Sequence, residues 1–209
     1  MKKIISILLG FILVSCSSAE LINNWKNPDI DSFSPAKILI IGMTSNDEAR
    51  QKFEEKLKQK YLSRGTEAVA SYELFEESFM SFRRTEEDLI SLEDSLIKDG
   101  FDSVLLTKVA GVEDRTAFFN KFDKDTNYGF KYDYYNNQEI YFNSNYYNEY
   151  KVYHVETSLY CICKGEERTL IWKGYIDIID PNSIKETVKD YVNLVVFVLE
   201  EQNLIQKNE

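Results

Sequence analysis

His154 is the only histidine in the chain, so a Ser–His–Asp arrangement or an imidazole general base would have to use it. Glu156 and Ser158 follow it at alternate positions, and on a strand all three would lie on one polar face. Three residues along one strand cannot fold back into a triad, and we predict no catalytic residue. We predict instead that His154 and Glu156 border a surface groove, where they are candidate ligand-binding residues.

The three cysteines are Cys16, Cys161 and Cys163. The last two are spaced i and i+2, which on a strand places both thiols on one face but too far apart for a relaxed disulfide in most geometries. We predict two buried free thiols, with a strained bridge or a redox pair as the alternatives. A metal centre would need more ligands than these cysteines and His154 provide, so we predict neither a metal nor another cofactor.

A phosphate-binding loop is not predicted. Residues 41–45 (Ile-Gly-Met-Thr-Ser) stand between a predicted strand and a predicted helix, where such a loop would lie. They contain a single glycine and no Gly-Lys-Ser/Thr. The position favours a strand-to-helix turn, whose helix N-terminus could hold a small anion weakly. Acidic pairs such as Glu54-Glu55 are typical of a solvated helix face.

The first sixteen residues have the layout of a secretory signal. Lys2 and Lys3 precede a largely apolar run, residues 4–14. The run is too short to span a bilayer, which needs about 20 apolar residues. It ends in Leu-Val-Ser-Cys at residues 13–16, which resembles the bacterial lipobox, where the cysteine is both the cleavage point and the lipid acceptor.

The lipobox resemblance implies that residues 1–15 are a lipoprotein signal peptide and that Cys16 becomes the first mature residue. Cys16 would carry a diacylglycerol and an N-acyl chain such as palmitate, which together anchor a protein stably. Ser17 stands where an aspartate would retain such a lipoprotein at the inner membrane, which indicates the outer membrane, facing the periplasm. An ordinary signal peptide that ends near a cysteine is the alternative.

The composition is that of an acidic, folded protein. The formal net charge of −10 argues against nucleic acid as a partner, because phosphates call for clustered Lys and Arg. It also argues against a basic patch for anionic lipid head groups. A length of 209 residues suits one domain.

Residues 16–36 are rich in Ser, Asn and Pro and are predicted to form a lipidated tether. Residues 37–205 are predicted to form one α/β domain, in which a continuous apolar run at residues 38–41 indicates a strand covered on both faces. A capping box at Ser45 and Glu48 begins the first helix. A second strand, a helix beginning at Thr85 and a third strand complete a βαβαβ unit with a parallel sheet.

Two alternating strands, at about residues 151–163 and 170–178, predict a β-hairpin with one buried face. A helix capped by Ser183 closes the domain. The complete prediction is α/β with the order βαβαβ-insert-ββα, a mixed sheet packed by helices in a single domain.

Residues 111–150 form an aromatic insert between these two halves. Tyr, Phe and Asn crowd this segment, and its alternation favours an amphipathic strand or hairpin. Tyrosine buries a large area at low entropic cost, so we predict a partner-binding surface. A hairpin that packs on its own domain and one that enters the membrane are the alternatives. The candidate partner-binding residues are Tyr128, Phe130, Tyr132, Tyr134, Tyr146 and Tyr147.

The order of elements over residues 37–205 resembles the small α/β domains of lipoproteins that activate cell-wall synthases or build the curli export channel, and the N-terminal domain of the Tol-system propeller protein. The resemblance implies a non-enzymatic, lipid-anchored envelope lipoprotein that acts as a protein-binding or assembly module. Its partners would be the membrane, through the anchor, and an envelope protein. A binder of a small ligand or an envelope polymer is the alternative.

Overall fold

The computed structural model describes residues 17–75, 84–116, 149–163 and 169–207. Its centre is an open, mixed six-stranded sheet in the order β1-β6-β5-β4-β2-β3, packed by helices, which confirms the predicted α/β class. The strands are β1 (Ala19–Lys26), β2 (Lys37–Met43), β3 (Glu67–Ala70), β4 (Ser103–Thr116), β5 (Glu149–Cys161) and β6 (Thr169–Ile179). The helices are α1 (Asp47–Leu62), α2 (Ser71–Leu74), α3 (Glu86–Lys98) and α4 (Ile184–Glu201).

The βαβαβ unit is parallel, as predicted. β2 lies between β3 and β4 and pairs parallel with both. Ile38, Leu39 and Ile40 of β2 are fully buried, because successive side chains point to opposite faces and helices cover each face. α1 and α4 cover the face that carries Ile38 and Ile40, whereas α3 packs on the face that carries Leu39.

The N-cap residues of α1, α3 and α4 can be compared with the caps predicted from the sequence. The N-cap of α1 is Asn46, whose Oδ1 accepts a hydrogen bond from Ala49 N at 3.0 Å. Ser45 therefore lies outside the helix, and the predicted cap at Ser45 is wrong by one residue because the neighbouring asparagine is an equally strong cap. The predicted caps at Thr85 and Ser183 are confirmed.

The predicted tether contains a strand of the sheet. β1 pairs antiparallel with β6 at the sheet edge, and Ala19 and Leu21 face the hydrophobic core. Ile179 N donates to Ser18 O at 2.8 Å, and Lys26 Nζ donates to two backbone carbonyls. The prediction of a tether over residues 16–36 is corrected here, because polar residues are tolerated in an edge strand with one open edge.

The antiparallel half confirms the predicted hairpin and shortens the predicted insert. β5 pairs with both β4 and β6. β4 continues to Thr116 and β5 begins at Glu149, so both ends of the predicted insert 111–150 belong to the sheet. The six aromatic candidates for partner binding lie outside the described residues.

The sulfur atoms of Cys161 and Cys163 are in contact, which favours the bridge that the sequence left as an alternative over the predicted free thiols. β5 ends at Cys161, so Cys163 does not continue the strand. The two Cα atoms are 5.4 Å apart, which is within the usual span of a disulfide.

The principal core lies between the sheet and the helix pair α1 and α4. Trp172 and Leu159 are fully buried in it, and Phe53 and Tyr191 meet edge to face with ring centroids 5.9 Å apart. No helix in the described ranges is both long and apolar enough to cross a membrane.

Candidate ligand-binding cleft

A cleft of about 370 Å³ lies where β2 ends and where α1 and α4 begin. Gly42 and Met43 at the carboxyl end of β2 form one side of it, and the first two turns of each helix form another. Open α/β sheets bind ligands in crevices at the carboxyl ends of their strands. The topology therefore places this cleft where such sheets carry their sites.

The walls of the cleft are mostly apolar. Side chains from six of the elements contribute to them, and the volume falls within the range of about 300–1,000 Å³ that is usual for small-molecule sites. Walls of this kind bind a hydrophobic body, while a few polar groups fix its orientation. The apolar wall residues are Met43, Phe53, Val109, Tyr153, Val155, Ile178, Ile184 and Val188.

A chain of hydroxyl groups forms part of the polar lining. Thr157 Oγ1 lies 2.7 Å from Thr107 Oγ1 and 2.7 Å from the hydroxyl of Tyr191. Thr107 and Tyr191 line the cleft. Burial raises the pKa of Tyr191 well above its usual value, so this phenol stays neutral at physiological pH.

Arg50 adds a positive charge to the cleft. Its side chain is 9% exposed, and its Nε has no hydrogen-bond partner in the part of the chain that the structure describes. Among the described residues, the carboxylate within 4.0 Å of the guanidinium is that of Asp47, whose Oδ1 lies 3.6 Å from Nη2 and whose side chain is 80% exposed. Burial of a charge is unfavourable unless the charge is paired and hydrogen-bonded.

The carboxyl group of Glu54, one turn after Arg50 on α1, accepts hydrogen bonds on both of its oxygens. Its Oε1 accepts from Gly42 N at 2.8 Å and from Ser71 Oγ at 2.7 Å, and its Oε2 accepts from Tyr72 N at 3.3 Å. Glu54 is fully buried, which corrects the prediction of a solvated acidic pair. These bonds join α1 to the end of β2 and to α2.

The glycine at the end of β2 allows this close approach. A Cβ atom at Gly42 would lie 3.2 Å from Phe53 Cδ1 and 3.3 Å from Arg50 Cγ. Such contacts are tighter than ordinary van der Waals separations, so the absence of a side chain at Gly42 permits α1 to hold Arg50 against the strand end.

His154 and Glu156 lie on the other face of β5. They alternate with Tyr153 and Val155, which line the cleft, so their side chains point away from it. The structure brings the two predicted ligand-binding residues together on one polar face but not into the cleft, and their role in binding stays a prediction.

Both residues are paired with neighbours on that polar face. Glu156 Oε1 contacts Lys173 Nζ at 2.9 Å and Lys108 Nζ at 3.1 Å. Burial raises the pKa of Glu156, but the hydrogen bonds from Lys173 and Lys108 outweigh it and hold that pKa below its usual value. His154 Nδ1 lies 2.7 Å from Asp177 Oδ1, and its Nε2 lies 3.5 Å from Glu113 Oε2.

In the part of the chain that the structure describes, no group of three or more His, Cys, Asp and Glu side chains is arranged to hold a metal ion. Arg50 was not predicted from the sequence as a site residue. The sequence feature that could have identified Arg50 is the strand-to-helix turn at residues 41–45, because Arg50 lies on the helix that follows this turn.

Comparison with protein-family models gives no match, and comparison with curated protein sequences gives none either. Among solved structures, the chain is similar to PelC from Paraburkholderia phytofirmans, described as a dodecamer. The identity is 9%, the TM-score is 0.43, and the likeness covers 90% of this chain and 99% of that one. It is also similar to lipoprotein GNA1162 from Neisseria meningitidis, with 14% identity, a TM-score of 0.41, and coverage of 80% and 99%. At these scores, neither likeness extends to function.

The ion pairs of His154 predict a pH-dependent contribution to stability. The hydrogen bond to Asp177, followed by the interaction with Glu113, raises the pKa of His154 above its ordinary value of 6.5, although desolvation opposes the shift. The folded state therefore binds this proton more tightly than the unfolded state does. The stabilisation is complete below pH 6.5 and is lost as the pH rises through the folded pKa.

We expect His154→Gln to lower the melting temperature by a few degrees at about pH 5.5 and by almost nothing at about pH 9. Thermal unfolding of both proteins across this range measures the difference. An equal effect at both ends of the range would show that the charge of His154 is not what stabilises this face.

Proposed function

We propose that this protein is a non-enzymatic lipoprotein, anchored in the bacterial envelope, that binds a small molecule or the end of a polymer in the cleft between α1 and α4. The observation that supports the proposal is the cleft itself. It combines about 370 Å³ of largely apolar space with Arg50 and the hydroxyls of Thr107 and Tyr191, which is the make-up of a small-molecule site.

The polar lining is suited to recognition. Its described side chains are a guanidinium, asparagine amides and hydroxyl groups. A guanidinium stays protonated at any physiological pH, and burial holds the pKa of Tyr191 high. Such groups donate hydrogen bonds to a ligand without exchanging protons with it at neutral pH, which favours binding over acid–base catalysis.

The start of β1 supports a short attachment to the membrane. Ala19, the first residue of β1, follows Cys16 by three positions, and three residues span at most roughly 11 Å. Ser18 is itself held by the domain, since its backbone N–H donates to Asp190 Oδ2 at 3.3 Å. A lipid on Cys16 would therefore hold the domain close to the bilayer surface.

The anchor predicts that Cys16→Ala releases the protein from the membrane fraction. Mass spectrometry of the wild-type protein should find an N-terminus at Cys16 that carries a diacylglycerol and an amide-linked acyl chain. Cys161→Ala, which leaves the lipobox intact, is the control and should stay membrane-bound. An unmodified Cys16 in a membrane-bound wild-type protein would contradict the anchor.

The cleft predicts that a bulky side chain in it abolishes ligand binding. Val109 lines the cleft, whereas Val112 on the same strand does not, and both side chains are exposed. We expect compounds found by thermal shift in a library of small organic acids, phosphates, amides and alcohols to lose binding to Val109→Trp. They should bind Val112→Trp as they bind the wild type.

If Val109→Trp retains every compound, or if none binds the wild type, the cleft is not a ligand site. Circular dichroism of both tryptophan variants checks that the fold is kept.

A second candidate function, binding of an envelope protein, is favoured by the way β4 and β5 end. Their ladder continues through the pairs Asp114↔Lys151 and Thr116↔Glu149. The pairing of β4 with β2 stops at Lys108. The two strands therefore extend beyond the rest of the sheet, and residues 117–148, which contain the six aromatic candidates, begin and end at this extension.

Replacement of residues 117–148 by a short Asn-Gly turn tests this second function. We expect the shortened protein to lose its specific products when intact cells are treated with a crosslinker, while its melting temperature changes little. The Val112→Trp variant serves as a control that keeps the segment. Crosslinked products that survive the replacement would rule out this segment as the interface.

A further inference from the structure

We propose that the ligand of the cleft carries an anionic head group, a carboxylate or a phosphate, that pairs with Arg50, and an apolar body that lies on the cleft walls. The inference rests on the proposed function and adds the chemical class of the ligand. Arg50 supplies the charge, and the amino ends of α1 and α4 supply the surrounding positive potential.

The first reason is that, among the described residues, Arg50 lacks a sufficient counter-charge. Its side chain is 9% exposed, and its ion pair with the exposed carboxylate of Asp47 is 3.6 Å long. The adjacent buried carboxyl group, that of Glu54, already accepts hydrogen bonds from three donors. The Arg50 guanidinium is therefore buried and poorly paired among the described residues, and an anion in the cleft would supply the counter-charge that it lacks.

The second reason is that two long helices direct their amino ends at the cleft. α1 has 16 residues and α4 has 18, and their N-cap residues Asn46 and Ser183 both line the cleft. Each helix N-terminus carries a partial positive charge and backbone N–H groups without partners inside the helix. The convergence of two such ends beside a buried arginine favours an anion.

The acidic residues of these first turns do not cancel that potential inside the cleft. Asp47, Glu48 and Glu186 are exposed and are not among the residues that line it. Solvent screens exposed charges strongly, whereas the field of Arg50 acts in the low-dielectric space between the helices and the sheet.

The third reason is the composition of the remaining walls. Met43 and Val109 are exposed apolar residues of the cleft wall, and an inorganic anion alone would leave them facing solvent. A ligand with an aromatic or acyl body would cover them, and the Thr107 and Tyr191 hydroxyls could bind a polar substituent. The site therefore fits an amphiphilic acid better than free phosphate.

The test compares benzoate with benzamide, which has the same shape and no charge, and adds phenyl phosphate and inorganic phosphate as separate arms. Binding to the full chain, purified in a non-ionic detergent, is measured by calorimetry. We expect benzoate or phenyl phosphate to bind at least about tenfold more tightly than benzamide, and inorganic phosphate to bind more weakly than phenyl phosphate. The arm that binds more tightly identifies the head group as carboxylate or phosphate.

Arg50→Met should remove the preference for the anion, and Arg50→Lys should keep part of it. Lys52→Met is the matched control, because Lys52 lies on the same helix, carries the same charge and does not line the cleft. Without a ligand, Arg50→Met should melt at a higher temperature than the wild type, because it removes a poorly paired buried charge. This readout also shows that the variant is folded.

The possible failures are distinguishable. If Arg50→Met binds benzoate as the wild type does, while Val109→Trp abolishes binding, the cleft is a ligand site but the anion inference is wrong. Benzamide binding equal to benzoate binding in the wild type would lead to the same conclusion. If neither these probes nor any compound of the thermal-shift library responds to Val109→Trp, the proposed function itself fails.

Discussion

The buried carboxyl group of Glu54 holds the cleft end of the molecule together. Through Gly42, Ser71 and Tyr72 it fastens α1 to the end of β2 and to α2. The bonds are possible because Gly42 has no side chain to separate the helix from the strand. The position of α1 relative to the sheet, and so the width of the cleft, depends on this contact.

Arg50 and Glu54 lie one turn apart on α1 and differ in how completely their polar atoms are hydrogen-bonded or paired. Glu54 has donors for both of its oxygens, whereas within the described ranges Arg50 has one long ion pair and an Nε without a hydrogen-bond partner. A buried charge without partners lowers stability, and residues of this kind are retained where binding needs them. The same helix therefore carries a fully hydrogen-bonded carboxyl group and, one turn before it, a poorly paired guanidinium.

The sequence predicted the elements whose signals are local and strong. The apolar run of β2, the caps at Thr85 and Ser183 and the alternation of β5 and β6 each depend on residues close in the chain, and each is confirmed. β1 was missed because an edge strand with polar residues has the composition of a linker.

The site was less predictable, because it is made by contacts between residues distant in sequence. His154 and Glu156 were correctly placed on one polar face, but the cleft lies on the opposite face of their strand. Arg50 and Glu54 are buried because α1 packs on β2. The presence of acidic and basic residues in a helical sequence does not predict this burial. The sequence did indicate that the turn before α1 could hold a small anion.

The central claim, that Arg50 binds the anionic group of a ligand, is tested most directly by NMR of the arginine side-chain Nε–H groups of the full chain. Arg64 provides an internal reference, since its Nε already donates to Glu200 Oε1 at 2.9 Å. We expect benzoate to shift the Arg50 Nε–H signal and slow its exchange with water while the Arg64 signal stays in place, and benzamide to change neither. A benzoate titration that leaves the Arg50 signal unmoved while the cleft residues shift would contradict the claim.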